Sequence, residues 1–152
     1  MMAFWTILHG IVAIGLLGAT THQGLTVWRK PVPATLFVDR FRAIPAARFA
    51  TAVVVLYLLT FALGAYIYPT YVLDVKGAIA DYGMRRTVGV FQIKEHVSVI
   101  GLSLLPIYWH YWRTVPLSNG ARIRRFLTTL LMFASWWNLI IGHLLNNIKG
   151  LQ

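Results

Sequence analysis

The chain has 152 residues, of which 58% are hydrophobic and only 12% charged, with a formal net charge of +10. A soluble domain carries about 25% charged residues, so this composition and a mean hydropathy of +0.65 exclude an ordinary soluble domain and point to a membrane protein. The chain has no cysteine, which excludes disulfides, thiolate metal sites, iron–sulfur clusters and covalently attached haem, and the basic excess reads as a topology signal rather than as affinity for nucleic acid.

Four apolar stretches are long enough to span a bilayer, at about 3–28, 49–68, 88–112 and 126–145. Each must satisfy its own backbone in lipid, so all four are expected to be helices. The expected fold is all-α: one transmembrane domain over residues 1–152, built as a four-helix bundle.

Met1–Leu8 lacks a basic region ahead of the apolar run, so the first stretch is expected to be a span and not a cleaved leader. It carries His9 and His22, with Gly10, Gly15, Gly18 and Gly24 between and beyond them. The connection after it holds Arg29, Lys30, Arg40, Arg42 and Arg48 against Asp39 alone. Within it, Ala34–Arg42 contributes Leu36, Phe37 and Phe41 between Pro33 and Pro45, the pattern of a short interfacial helix. After the second span, Pro69–Thr87 reads as the longest extramembrane piece, placed to fold over the outer mouth of the bundle. The third span has Lys94 and Glu95 near its outer end, and carries His96 and His110. Arg113, Arg122, Arg124 and Arg125 then follow with no acid among them, around a Ser118-Asn119-Gly120 turn. The fourth span contains Trp136-Trp137-Asn138 and ends near His143.

The positive-inside rule makes the first and third connections cytoplasmic and puts both termini on the other side. The expected location is a bacterial-type inner membrane or another energy-transducing membrane, crossed several times.

The histidines carry the chemical signal. His9 and His22 are 13 residues apart, and His96 and His110 are 14 apart. At about 1.5 Å per residue each pair spans roughly 20 Å of a core about 30 Å thick, one imidazole per leaflet. With alternating spans the first and third helices run parallel, so His22 and His110 share the inner leaflet and His9 and His96 the outer one. Bis-imidazole ligation between two helices suits b-type haem. Fourteen steps return His96 and His110 to within about 40° of one face, whereas 13 steps leave His9 and His22 about 140° apart. His143, near the outer end of the fourth span, is an alternative outer ligand.

This arrangement of four histidines on two parallel helices resembles the four-helix core of di-haem b-type membrane cytochromes, as in quinol-oxidising respiratory complexes. The resemblance covers His9, His22, His96, His110 and the helix count. It implies one or two haems passing electrons across the bilayer between a quinol and an outside partner. Arg85 and Arg86 are then candidate propionate contacts for an outer haem, and Arg29, Arg48 or Arg113 for an inner one. Quinone or quinol is a possible ligand, with Glu95, the single glutamate, as proton acceptor.

The other residues exclude several classes. Asp39, Asp74, Asp81 and Glu95 lie in connections or at a boundary, too few and too peripheral for a di-iron bundle. No acid falls at mid-membrane, which argues against proton-coupled transport, and no arginine falls inside a span, which argues against a voltage sensor. The expected role is an electron-transfer subunit beside larger membrane partners, not a stand-alone enzyme. The alternatives are a cofactor-free anchor subunit and a pigment- or haem-handling protein.

Overall fold

The computed structural model of the chain describes residues 2–28, 36–37, 40 and 44–150, with the side chains of 146 and 148–150 left aside. Among the described residues there is no strand. Helix α1 runs Met2–Trp28 and α2 runs Ala46–Tyr71, followed by a π-helical stretch, Val72–Gly77, and a short α3, Ala78–Asp81. Helix α4 covers Arg85–Arg113 and α5 covers Ala121–Gly150. Four helical stretches are long and apolar enough to cross a membrane, so this is a multi-pass, membrane-spanning helical chain.

The second span differs most from its sequence reading. The helical course does not stop near Tyr68 but continues through Pro69 to Asp81, so the larger part of Pro69–Thr87 extends the bundle instead of capping it. Proline removes a backbone donor and crowds the preceding turn. Here that cost falls just before a stretch with wider i→i+5 winding, where the ladder is already re-drawn. The extension ends in a Schellman motif: Gly83 N–H donates to the Ala80 carbonyl at 2.9 Å and Met84 N–H to the Ile79 carbonyl at 3.2 Å. Gly83 has φ +72°, the left-handed conformation this motif requires of its glycine.

Of the interfacial segment expected at Ala34–Arg42, Leu36, Phe37 and Arg40 are described, and all three are exposed. The remainder of it, with Arg29, lies outside the described residues.

Helix α1 packs on α2 and α5, and α4 packs on the same two, so α1 and α4 stand diagonally across the bundle. The contacts fix direction and depth. Gln23 Nε2 donates to the Ala46 carbonyl, and a Cβ at Gly64 would meet His9, so α1 and α2 are antiparallel. Thr21 pairs with Trp136, and Trp28 with Thr129, which makes α1 and α5 antiparallel as well. Helices α1 and α4 are therefore parallel. A Cβ at Gly101 would collide with the Tyr57 hydroxyl, which the Ser98 carbonyl holds in place, so glycine lets α2 and α4 approach there.

Two apolar clusters fill the bundle. The larger one joins Leu16, Ala50, Val53, Leu105, Tyr108 and Leu131 toward the end that holds Trp28 and Arg113. The smaller one, Val75, Ile79, Phe91 and Leu145, lies at the opposite end, under the π-helical stretch.

Candidate functional site

His9 and His96 lie toward one end of the parallel helices α1 and α4 and His22 and His110 toward the other, but the members of each pair do not face one another. His9 lies against Gly64 on α2, with Lys94 of α4 near it, and Lys94 Cε is 3.3 Å from where a Cβ of Gly142 would stand. At the other level, His22 is 4% exposed and its ring stacks on Phe49 at 4.1 Å. Both α1 histidines thus border α2, which covers an arc of α1 wide enough to meet two residues that helical geometry sets far apart.

His96 and His110 are both exposed, in line on the outward face of α4, with Ser103 midway between them on the same face. His110 packs edge-on to Tyr111 at 5.7 Å. His143 is exposed and lies 3.0 Å from Asn147 Nδ2 through its Nε2. Neither His22 with His110 nor His9 with His96 converges in the bundle interior. The space between α1 and α4 at the His22 level is filled by Gln23 and Tyr108, both fully buried and hydrogen-bonded to each other. At that level the described side chains therefore leave no cradle for a haem between those helices. Arg85 and Arg86 are exposed at the start of α4, and Arg113 stacks over Trp109 at 5.2 Å.

What the side chains do bring together is a polar cluster at the end of the bundle shared by the start of α1, the end of α2, the π-helical stretch and the first half of α4. Glu95 is its acid. Its Oε2 lies 3.9 Å from Lys76 Nζ, and the Tyr68 hydroxyl faces the same carboxylate. The Lys76 ammonium sits 5.1 Å from the Phe91 ring centroid, and the Lys94 ammonium sits 5.9 Å from that ring and 6.0 Å from Tyr71. Tyr71 and Phe91 stack at 5.3 Å, making an aromatic floor between the two cations. One turn deeper along α4, Ser98 Oγ donates to Asn138 Oδ1 at 2.9 Å and the Ser98 carbonyl accepts from Tyr57 at 3.0 Å.

Three polar atoms of this cluster are buried without a hydrogen-bond partner among the described residues: His9 Nδ1, Tyr71 Oη and Glu95 Oε1. Trp137 Nε1, on α5 at a neighbouring depth, is a fourth. Leaving such a group unbonded in a low-dielectric interior costs roughly 1–3 kcal/mol each. Several at one place mark a position where a further polar molecule belongs. The π-helical stretch has the same bearing, because widened turns inside α-helices occur frequently at functional sites.

Two members of this cluster are singled out for chemistry by the sequence, Glu95 as a proton acceptor and His9 as a haem ligand. Tyr68, Tyr71 and Lys76 fell in or beside a presumed loop, and Lys94 looked like a blemish on a span. The signal available was the dipeptide Lys94-Glu95 itself: charged residues inside a span normally face the bundle and mark function. Among the described residues no group of three or more histidine, aspartate or glutamate side chains could hold a metal ion. Comparison with protein-family models, with curated proteins and with solved structures finds no match to this chain.

Proposed function

We propose that the chain is a redox subunit of an electron-transferring membrane complex, and that its polar end binds the head group of a quinol-class carrier. The observation that supports this is the set of buried atoms around Lys94 and Glu95 that lack a hydrogen-bond partner among the described residues. A quinol head group is flat, apolar on its faces and hydrogen-bonding at two opposite oxygens. The Tyr71–Phe91 stack supplies an aromatic surface, Tyr71 Oη and Lys94 supply donors, and Glu95 Oε1 is an acceptor for a hydroxyl proton. Lys94 and Lys76 favour an anionic ring oxygen once that proton has gone. His9 offers a second proton-exchanging group.

Binding of a short-chain quinol, kept reduced, to the purified protein, followed by calorimetry, tests this reading. Glu95→Gln and Lys94→Met are each expected to weaken binding about tenfold. Unchanged affinity in both would remove the site.

The b-type haem reading is proposed on the two exposed histidines of α4. His96 and His110, outward on α4, each supply one axial ligand to a haem whose second ligand comes from a partner chain. Two imidazoles on a membrane-facing surface support this, because polar groups in a span normally meet protein and not lipid. A reduced-minus-oxidised spectrum of the intact complex, with haem quantified per chain, tests it. His96→Ala or His110→Ala should remove one haem signal while His22→Ala leaves both. A haem-free complex would point to a cofactor-free anchor subunit instead.

A further inference from the structure

A second site lies on the opposite half of the molecule, on the seam between α1 and α5. At its outer edge the guanidinium of Arg125 stacks over the Trp28 ring at 4.9 Å, and Trp28 Nε1 donates to Thr129 Oγ1 at 2.8 Å. The ring is thereby fixed and holds the cation at the end of α1. Arg125 is exposed, and its N–H edges bond to no described residue. Immediately below, a groove of about 310 Å³ opens along the seam, lined by Leu17, Gly18, Thr21, His22, Leu25 and Trp136. Trp136 is itself held across the seam, its Nε1 donating to Thr21 Oγ1 at 2.9 Å.

The dimensions and the chemistry agree. From Trp28 to Leu17 is about 16 Å along the helix, the depth of one bilayer leaflet, about 15 Å. Gly18 leaves the groove open because nothing lies within 4 Å of where its Cβ would be. Arg48, Arg113 and Arg122 are also exposed at this end, whereas the described acids Asp74, Asp81 and Glu95 all belong to the other. A cation held at the interface above an apolar groove one leaflet deep complements an anionic lipid: phosphate at the rim, acyl chain below.

We infer that the α1–α5 seam is a binding site for one anionic glycerophospholipid, its phosphate on Arg125 and one acyl chain in the groove beside Gly18 and Trp136. The test uses the full chain reconstituted in phosphatidylcholine vesicles, with phosphatidylglycerol or phosphatidylcholine brominated on the acyl chain as quencher. The contribution of Trp136 is the difference between the wild type and Trp136→Phe, which keeps a ring in place. The expected result is a preference for brominated phosphatidylglycerol of roughly fivefold, the size that one surface cation confers. Arg125→Gln should bring that preference close to one. Gly18→Leu, which fills the groove, should reduce Trp136 quenching by both lipids while circular dichroism stays unchanged. Equal quenching by the two lipids in the wild type, or a preference that survives Arg125→Gln, would overturn the assignment. So would an isoprenoid quinone tail that displaces the brominated lipid better than phosphatidylglycerol does.

Discussion

The two halves of the bundle treat buried polar groups in opposite ways. Toward the Trp28 end, Gln23 is fully buried with its amide donating to Ala46 and its carbonyl accepting from Tyr108. Trp112 Nε1 bonds Thr128 at 3.2 Å, and Arg124, 3% exposed, donates to the Pro116 and Asn119 carbonyls that close the α4–α5 turn. Apart from Arg124 Nε, these polar side chains meet partners within the chain. Toward the Glu95 end, His9, Tyr71 and Glu95 each hold back a buried polar atom. One half is a lock, and the other is arranged like a socket. Saturated networks fix a single packing, while unsaturated ones are stable only when something else completes them.

The sharpest way to break the comparison is at the helix crossing that separates the halves. Gly101→Val drives a side chain into Tyr57, and overpacking of this kind costs about 3 kcal/mol at the upper end of its usual range. The purified variant should show a clearly lower melting temperature, and a wild-type value would contradict the packing described. Next comes the lock. Gln23→Leu strands the buried Tyr108 hydroxyl, with an expected loss of about 2 kcal/mol by denaturant titration.

A matched pair of smaller changes then sharpens the contrast. Tyr108→Phe leaves Gln23 Oε1 without its donor and should cost about 1–2 kcal/mol. Tyr71→Phe deletes a hydroxyl that bonds to no described residue, so stability should hold or rise by a few tenths of a kcal/mol. The smallest effect belongs to the outward polar groups whose hydrogen bonds stay within their own helix. Ser103→Ala, on the exposed face of α4, should leave the isolated chain within about 0.5 kcal/mol of the wild type.

Much of the architecture was legible because hydropathy and helix length are properties of single segments. The apolar content and the backbone's needs in lipid already imply four helices. The π-helical stretch was not legible, since Pro69 normally argues for a helix end and nothing in Val72–Gly77 announces a widened turn. The histidine depths followed from rise per residue, but their azimuths did not. Helical geometry relates His96 to His110 on one helix, yet which way that shared face points depends on how α4 sits against α2 and α5. Gln23, one residue from His22, takes the interior position beside Tyr108, and composition alone does not separate the two.

The direct test of the lock-and-socket account is the thermal stability of Tyr71→Phe and Tyr108→Phe, each measured with and without a short-chain quinol, kept reduced. The account predicts that Tyr108→Phe melts earlier but keeps the full ligand-induced rise. It predicts that Tyr71→Phe melts at or above the wild-type temperature and loses most of that rise. A Tyr71→Phe variant that melts as early as Tyr108→Phe, or that keeps the full rise, would contradict it.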